Sequence, residues 1–177
     1  MELALNEVKI QAKKLLKAIK SNSSLGPKME LTLNKLGITL LDEVKLKHCL
    51  IIVAQQLGFD NWHHAQDILS GSKKNIEALT MGTLFYPKGA DGFINEWFAN
   101  YQQAKNTILN KTGKKWLLPY KNQFIVVRKD FISTFMLDEK LMQLWTDIEH
   151  DMVSGYNTTA WDKLTCGIIK NREKKYG

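Results

Sequence analysis

The stretch Lys114-Lys115-Trp116-Leu117-Leu118-Pro119-Tyr120-Lys121-Asn122-Gln123-Phe124-Ile125-Val126-Val127-Arg128 decides the fold class. Trp116–Leu118 and Gln123–Val127 are runs of large apolar and β-branched residues around the turn formers Pro119-Tyr120-Lys121-Asn122. Such side chains suit a pleated, half-buried surface, and two such runs about a short turn read as a hairpin. A lone hairpin is marginal in water and has to pack on something else. The rest of the chain supplies helices. The expected fold is therefore α+β, mainly helical, with a small antiparallel sheet.

Working outward from the hairpin, Thr83–Tyr86 reads as a short strand ended by Pro87, and Lys88–Gly92 as a turn. Phe93, Ile94, Trp97, Phe98, Tyr101, Ala104 and Ile108 recur at helical spacing and predict one aromatic helix ending near Gly113. On the other side, Asp138 is placed to cap a helix bearing Leu141, Leu144, Trp145, Ile148 and Met152. Asn157 is placed to cap a last helix bearing Trp161, Leu164 and Ile168, which runs into the charged tail Lys170–Lys175. These elements form an α+β module over residues 76–177.

A helical module over residues 1–72 precedes it. Leu5, Val8, Ala12, Leu15, Leu16 and Ile19 form one face of a first helix, and Lys9, Lys13, Lys17 and Lys20 another. Ser21–Pro27 breaks it. Thr39 is a cap candidate for a helix with Asp42 and Glu43 in its first turn, running to Leu57. Gly58 then supplies a left-handed C-terminal cap, and Asp60 is placed to cap a short helix from Asn61 to Leu69. Ser70–Asn75 is the linker candidate.

Gln11-Ala12-Lys13-Lys14-Leu15, followed by Ala54-Gln55-Gln56-Leu57-Gly58-Phe59-Asp60-Asn61-Trp62, resembles the N-terminal helical module of bacterial proteins labelled glyoxalase-related. The resemblance covers about residues 1–70 and rests mainly on Leu-Gly-Phe-Asp-x-Trp. It implies a helical module without assigned chemistry. The glyoxalase fold needs repeated βαβββ units with metal-binding His and Glu. Residues 76–177 offer too few strands for that, so no glyoxalase activity follows. Ile51–Phe59 also looks like the first helix and glycine turn of a helix–turn–helix. The following segment has His64 and Asp67 where buried aliphatics belong, and no Lys or Arg for phosphates.

The formal net charge is +7, with 11 Lys against 7 acids in residues 1–75 and 14 basic residues against 11 acids in the rest. This balance favours an acidic partner, nucleic acid or protein. Every apolar run is interrupted by charge, so no membrane partner and a cytoplasmic location are expected. The two cysteines, Cys49 and Cys166, are too few and too far apart for a disulfide framework. No Gly-x-Ser-x-Gly, His-Glu-x-x-His, phosphate-binding Gly-rich loop or Cys-x-x-Cys occurs. No cofactor is expected, and a binding or regulatory protein is favoured over an enzyme.

The expected contact residues are Lys13 and Lys17 on the first helix, and Lys114, Lys115, Tyr120, Lys121, Arg128 and Lys129 around the hairpin. There Lys or Arg would meet phosphates while aromatic rings stack on bases. The surplus of aromatic residues leaves self-association open as well. The alternative is a small metal-assisted hydrolase. Asp147, His150 and Asp151 fall at spacings of three and four on the helix expected from Asp138 onward, where carboxylate and imidazole could share a divalent ion.

Overall fold

The computed structural model describes residues 2–21, 27–72, 80–109 and 113–176. Among the described residues, eight α-helices surround a three-stranded antiparallel sheet, a mainly helical α+β fold. Helix α1 (Leu3–Ser21) buries Ala4, Leu5, Val8, Ala12 and Ile19 along the stripe that its spacing predicts. The interior of the expected break, residues 22–26, lies outside the described residues. Helix α2 (Pro27–Lys35) starts on a proline, whose missing N–H costs nothing at a first position.

The second long helix starts later than expected. Leu41–Glu43 forms a 3₁₀ turn, Val44 is extended and buried, and α3 spans Leu46–Gln56. Thr39 does not cap it; instead the Lys45 N–H donates to His48 Nδ1 at 3.1 Å. Gly58 has the expected left-handed φ of 94°, and the Phe59 N–H donates to the Ala54 carbonyl. Helix α4 (Trp62–Leu69) is capped by Asn61, whose Oδ1 accepts from the His64 N–H, and not by Asp60. Of the expected linker, residues 73–75 lie outside the described residues.

The largest departure lies before the hairpin. Thr83–Tyr86 is a run of turns, not a strand, and Ala90–Gly92 is a 3₁₀ turn. The single aromatic helix divides into a strand and a helix: β1 (Glu96–Phe98) and α5 (Tyr101–Leu109). Two contacts explain the division. The β1 backbone pairs with β3, Trp97 opposite Ile125, satisfying polar groups on an otherwise open sheet edge. Asn100 Oδ1 accepts from the Gln103 N–H, which starts the helix afresh.

The hairpin forms as expected, with β2 (Trp116–Tyr120) and β3 (Gln123–Val127) joined at Lys121-Asn122. Lys121 takes φ 50°, as two-residue hairpin turns require. The strand order is β1-β3-β2, so Pro119 sits on an edge strand, where its lack of an N–H is tolerated.

Three helices follow: α6 (Lys129–Ser133), α7 (Glu139–Asp147) and α8 (Thr159–Tyr176). Asp138 caps α7 as expected, its Oδ1 accepting from the Leu141 N–H. The helix stops at Asp147 because the next backbone is committed elsewhere. His150 N–H donates to the Trp145 carbonyl and Glu149 N–H to the Thr146 carbonyl, a C-terminal cap with Glu149 in the left-handed region. The His150 carbonyl and the Met152 N–H then pair with Leu117 on the outer edge of β2. Thr158, not Asn157, caps α8: its Oγ1 accepts from the Trp161 N–H.

The sheet is covered on both faces. Leu118, Ile125 and Val127 enter the main core, and Leu117, Phe124 and Val126 a smaller one beneath α5. The main core is continuous across the expected module boundary. It joins Val8, Ile52 and Ile68 to Phe85, Trp145 and Trp161. Among the described residues no helix is long and apolar enough to cross a membrane.

Candidate functional site

Helix α1 is amphipathic, and its outward arc carries Lys9, Lys13, Lys14, Lys17 and Lys20, all exposed. The inward arc packs between α3 and α8. Asp162 of α8 accepts the N–H groups of Glu2, Leu3 and Ala4 at 2.9–3.0 Å. One and two turns further on, Glu7 lies 3.9 Å from the Lys170 ammonium, and Gln11 Nε2 donates to the Ile169 carbonyl. Contacts therefore advance together along both helices, which run side by side in the same direction. Glu7 and Asp162 are 5% and 4% exposed, while Lys163 and Lys170 of α8 stay in solvent. Glu7 and Asp162 are thus turned inward, while the lysines of α1 and Lys163 and Lys170 of α8 face outward.

The hairpin divides the remaining expected contacts between its two ends. At the open end, Lys114 lies 5.6 Å over the Trp116 ring, and that ring is only 2% exposed. Trp116 is core and cannot stack on a base. Lys115 is tied to Glu96 Oε1 at 2.9 Å and largely covered. Arg128 and Lys129 are exposed, and the register puts Arg128 one step past Val127, beside Lys115. At the turn end sit Tyr120 and Lys121, with the Lys121 ammonium 5.5 Å over the Tyr120 ring. A five-residue strand separates the ends by about 17 Å, so these residues form two patches.

Tyr120 belongs to a ring cluster that the spacing of residues along the chain does not reveal. Its centroid lies 5.2 Å from those of both Tyr86 and Trp97, which are 5.7 Å apart. With residues 93–108 read as one helix, nothing brings Trp97 next to Tyr120. The only signal is the exceptional density of aromatic residues.

The metal alternative loses its geometry. Asp147 is on α7, but His150 and Asp151 are beyond its end, so no common helical face exists. Asp151 is 1% exposed and saturated: Oδ1 accepts from the Val153 and Ser154 N–H groups, and Oδ2 from the Tyr101 hydroxyl at 2.7 Å. His150 packs edge-on against Trp116, and burial, then Lys114, pushes its pKa down. Among the described residues no group of three His, Cys, Asp or Glu could hold a metal ion. Both thiols, Cys49 and Cys166, are buried, and burial pushes their pKa values up, away from nucleophilic use.

The Leu57–Trp62 corner is engaged inside the molecule. His64 Nε2 lies 2.6 Å from the Thr80 carbonyl, and Nδ1 lies 3.2 Å from the Asp60 backbone nitrogen and 3.1 Å from its carboxylate. The exposed side chains of α4 include His63, Gln66 and Asp67, without Lys or Arg. That surface is wrong for a recognition helix in a DNA groove. No protein-family model matches the chain, and no curated protein or solved structure matches it.

Proposed function

We propose that the protein is a non-enzymatic binding protein that contacts nucleic acid through exposed lysines, with half-exposed aromatic rings adding shape-specific contact. The reading rests on the segregation of charge across α1 and α8. Lys9, Lys13, Lys17 and Lys20 share an outward arc, while Glu7 and Asp162 are buried on internal partners. Phosphates arriving at such a face meet a row of cations, and release of condensed counterions drives binding. Arg128 and Lys129 at the open end of the hairpin, and Lys121 at its turn, add cations elsewhere. Two buried, unpaired cysteines accord with a cytoplasmic setting.

The test is fluorescence anisotropy with mixed-sequence oligonucleotides, titrated between about 50 and 200 mM salt. The expected result is log-linear weakening with salt. The double variant Lys13→Glu/Lys17→Glu should bind more weakly, its salt slope reduced by about one for each phosphate it no longer neutralises. Absence of binding at the lowest salt refutes the reading. Equal affinity for polyglutamate would instead assign the lysine face to an acidic protein.

A further inference from the structure

We infer that the turn end of the hairpin is a stacking platform for unpaired nucleobases, so that the preferred ligand is single-stranded nucleic acid; this rests on the nucleic-acid reading above. Tyr86, Trp97 and Tyr120 come from three separate segments, yet their centroids lie within 5.7 Å of one another. The cluster is rooted in the core, since Tyr86 packs 5.7 Å from Phe131, which is 1% exposed. The Tyr86 hydroxyl donates to the Ala90 carbonyl, and Trp97 is held by β1–β3 pairing opposite Ile125. Rings fixed in this way lose little freedom when a ligand stacks on them.

Exposure singles out Trp97. It is 45% exposed, whereas Trp116, Trp145 and Trp161 are each 2% exposed or less. The charge beside the rings suits a phosphodiester, with Lys121 lying over Tyr120. Glu96, next to Trp97 in β1, is tied up by Lys115. Asp91 lies beside the Tyr86 hydroxyl and, second to burial, raises its pKa. A platform of this kind takes any base with a free π-face, because stacking is tolerant of sequence. A duplex hides those faces and can use only the lysines.

The experiment compares a mixed-sequence single strand with the matching duplex, using anisotropy and intrinsic tryptophan fluorescence on the full chain. The expected result is tighter single-strand binding that quenches fluorescence. Trp97→Ala should weaken single-strand binding by about tenfold and leave duplex binding unchanged. Trp97→Phe, which keeps a ring and guards against misfolding, should retain most of the affinity but lose the quenching. Lys121→Glu should weaken single-strand binding too. Equal affinity for both ligands, with Trp97→Ala changing neither, overturns the platform and leaves the lysine face standing. Binding to neither ligand at low salt overturns both readings.

Discussion

Gly58 shows how one residue can serve the turn that its sequence context announces and a contact that nothing local announces. Its φ of 94° ends α3, as a left-handed cap should. A Cβ at this position would also collide with Thr83 Oγ1, because Thr83 N–H donates to the Gly58 carbonyl. Gly82 faces it, and a Cβ there would collide with the Gly58 carbonyl oxygen. Gly89 has a similar φ of 85° but nothing within 4 Å of its would-be Cβ. The two positions separate conformational cost from steric cost. Gly89→Ala should destabilise by about 1 kcal/mol, the penalty of the left-handed region alone. Gly58→Ala should add overpacking and cost about 3 kcal/mol. Urea denaturation of both variants measures the difference, and equal midpoints would show that the Gly58–Thr83 approach relaxes freely.

At the scale of elements, legibility follows the locality of the cause. The hairpin, α1 and the Asp138 cap arise from neighbours in the chain, and their spacing and turn residues are readable. Strand β1 is not local: three residues pair with β3 across more than twenty positions, while Phe93, Trp97, Tyr101 and Ala104 keep a helical period. Tertiary pairing overrides that period. The same failure hides the ring cluster, and the end of α7 against β2 dissolves the expected metal face. The lysine stripe survives because it depends only on the helical repeat. Asp162 is the clearest non-local element contact. It stands in the first turn of α8, and its carboxylate accepts three N–H groups from the first turn of α1. One buried charge thus serves the positive ends of two helices running the same way. Asp162→Ala leaves these donors without an acceptor and should cost about 3 kcal/mol or more. Asp162→Asn should cost somewhat less, since its one carbonyl oxygen still accepts. Hydrogen exchange supplies the local check: the Leu3 and Ala4 amides should lose protection in the alanine variant before the rest of α1 does.

For the whole molecule, the question is whether the helical first part can stand without the second. Residues 1–72 read as a module, and their caps and apolar stripes are self-consistent. Their exposed backbone ends, however, are completed from outside. The Tyr156 hydroxyl donates to the Ile68 carbonyl at 2.7 Å, and burial, then Asp67, pushes its pKa up to about 12. Arg172 Nη1 donates to the Leu57 carbonyl, and His64 Nε2 meets the Thr80 carbonyl. Helix α1 buries one flank against α8, including Gln11, which is 8% exposed. A fragment of residues 1–72 would bare that flank and leave these polar groups to water. So small a fragment has little core in reserve against the entropy of ordering its chain. It should therefore show helical circular dichroism without a cooperative thermal transition, and poorly dispersed amide resonances. The full chain should melt in one transition, since its core is continuous from Val8 to Trp161. A sharp, reversible melt of the isolated fragment would make the helical part a true domain. The lysine arc of α1 could then be presented without α8, and Lys163 and Lys170 would be dispensable for binding. If the fragment does not fold, the arc exists only where α8 holds α1 in place, and nucleic-acid binding should be lost with the fold.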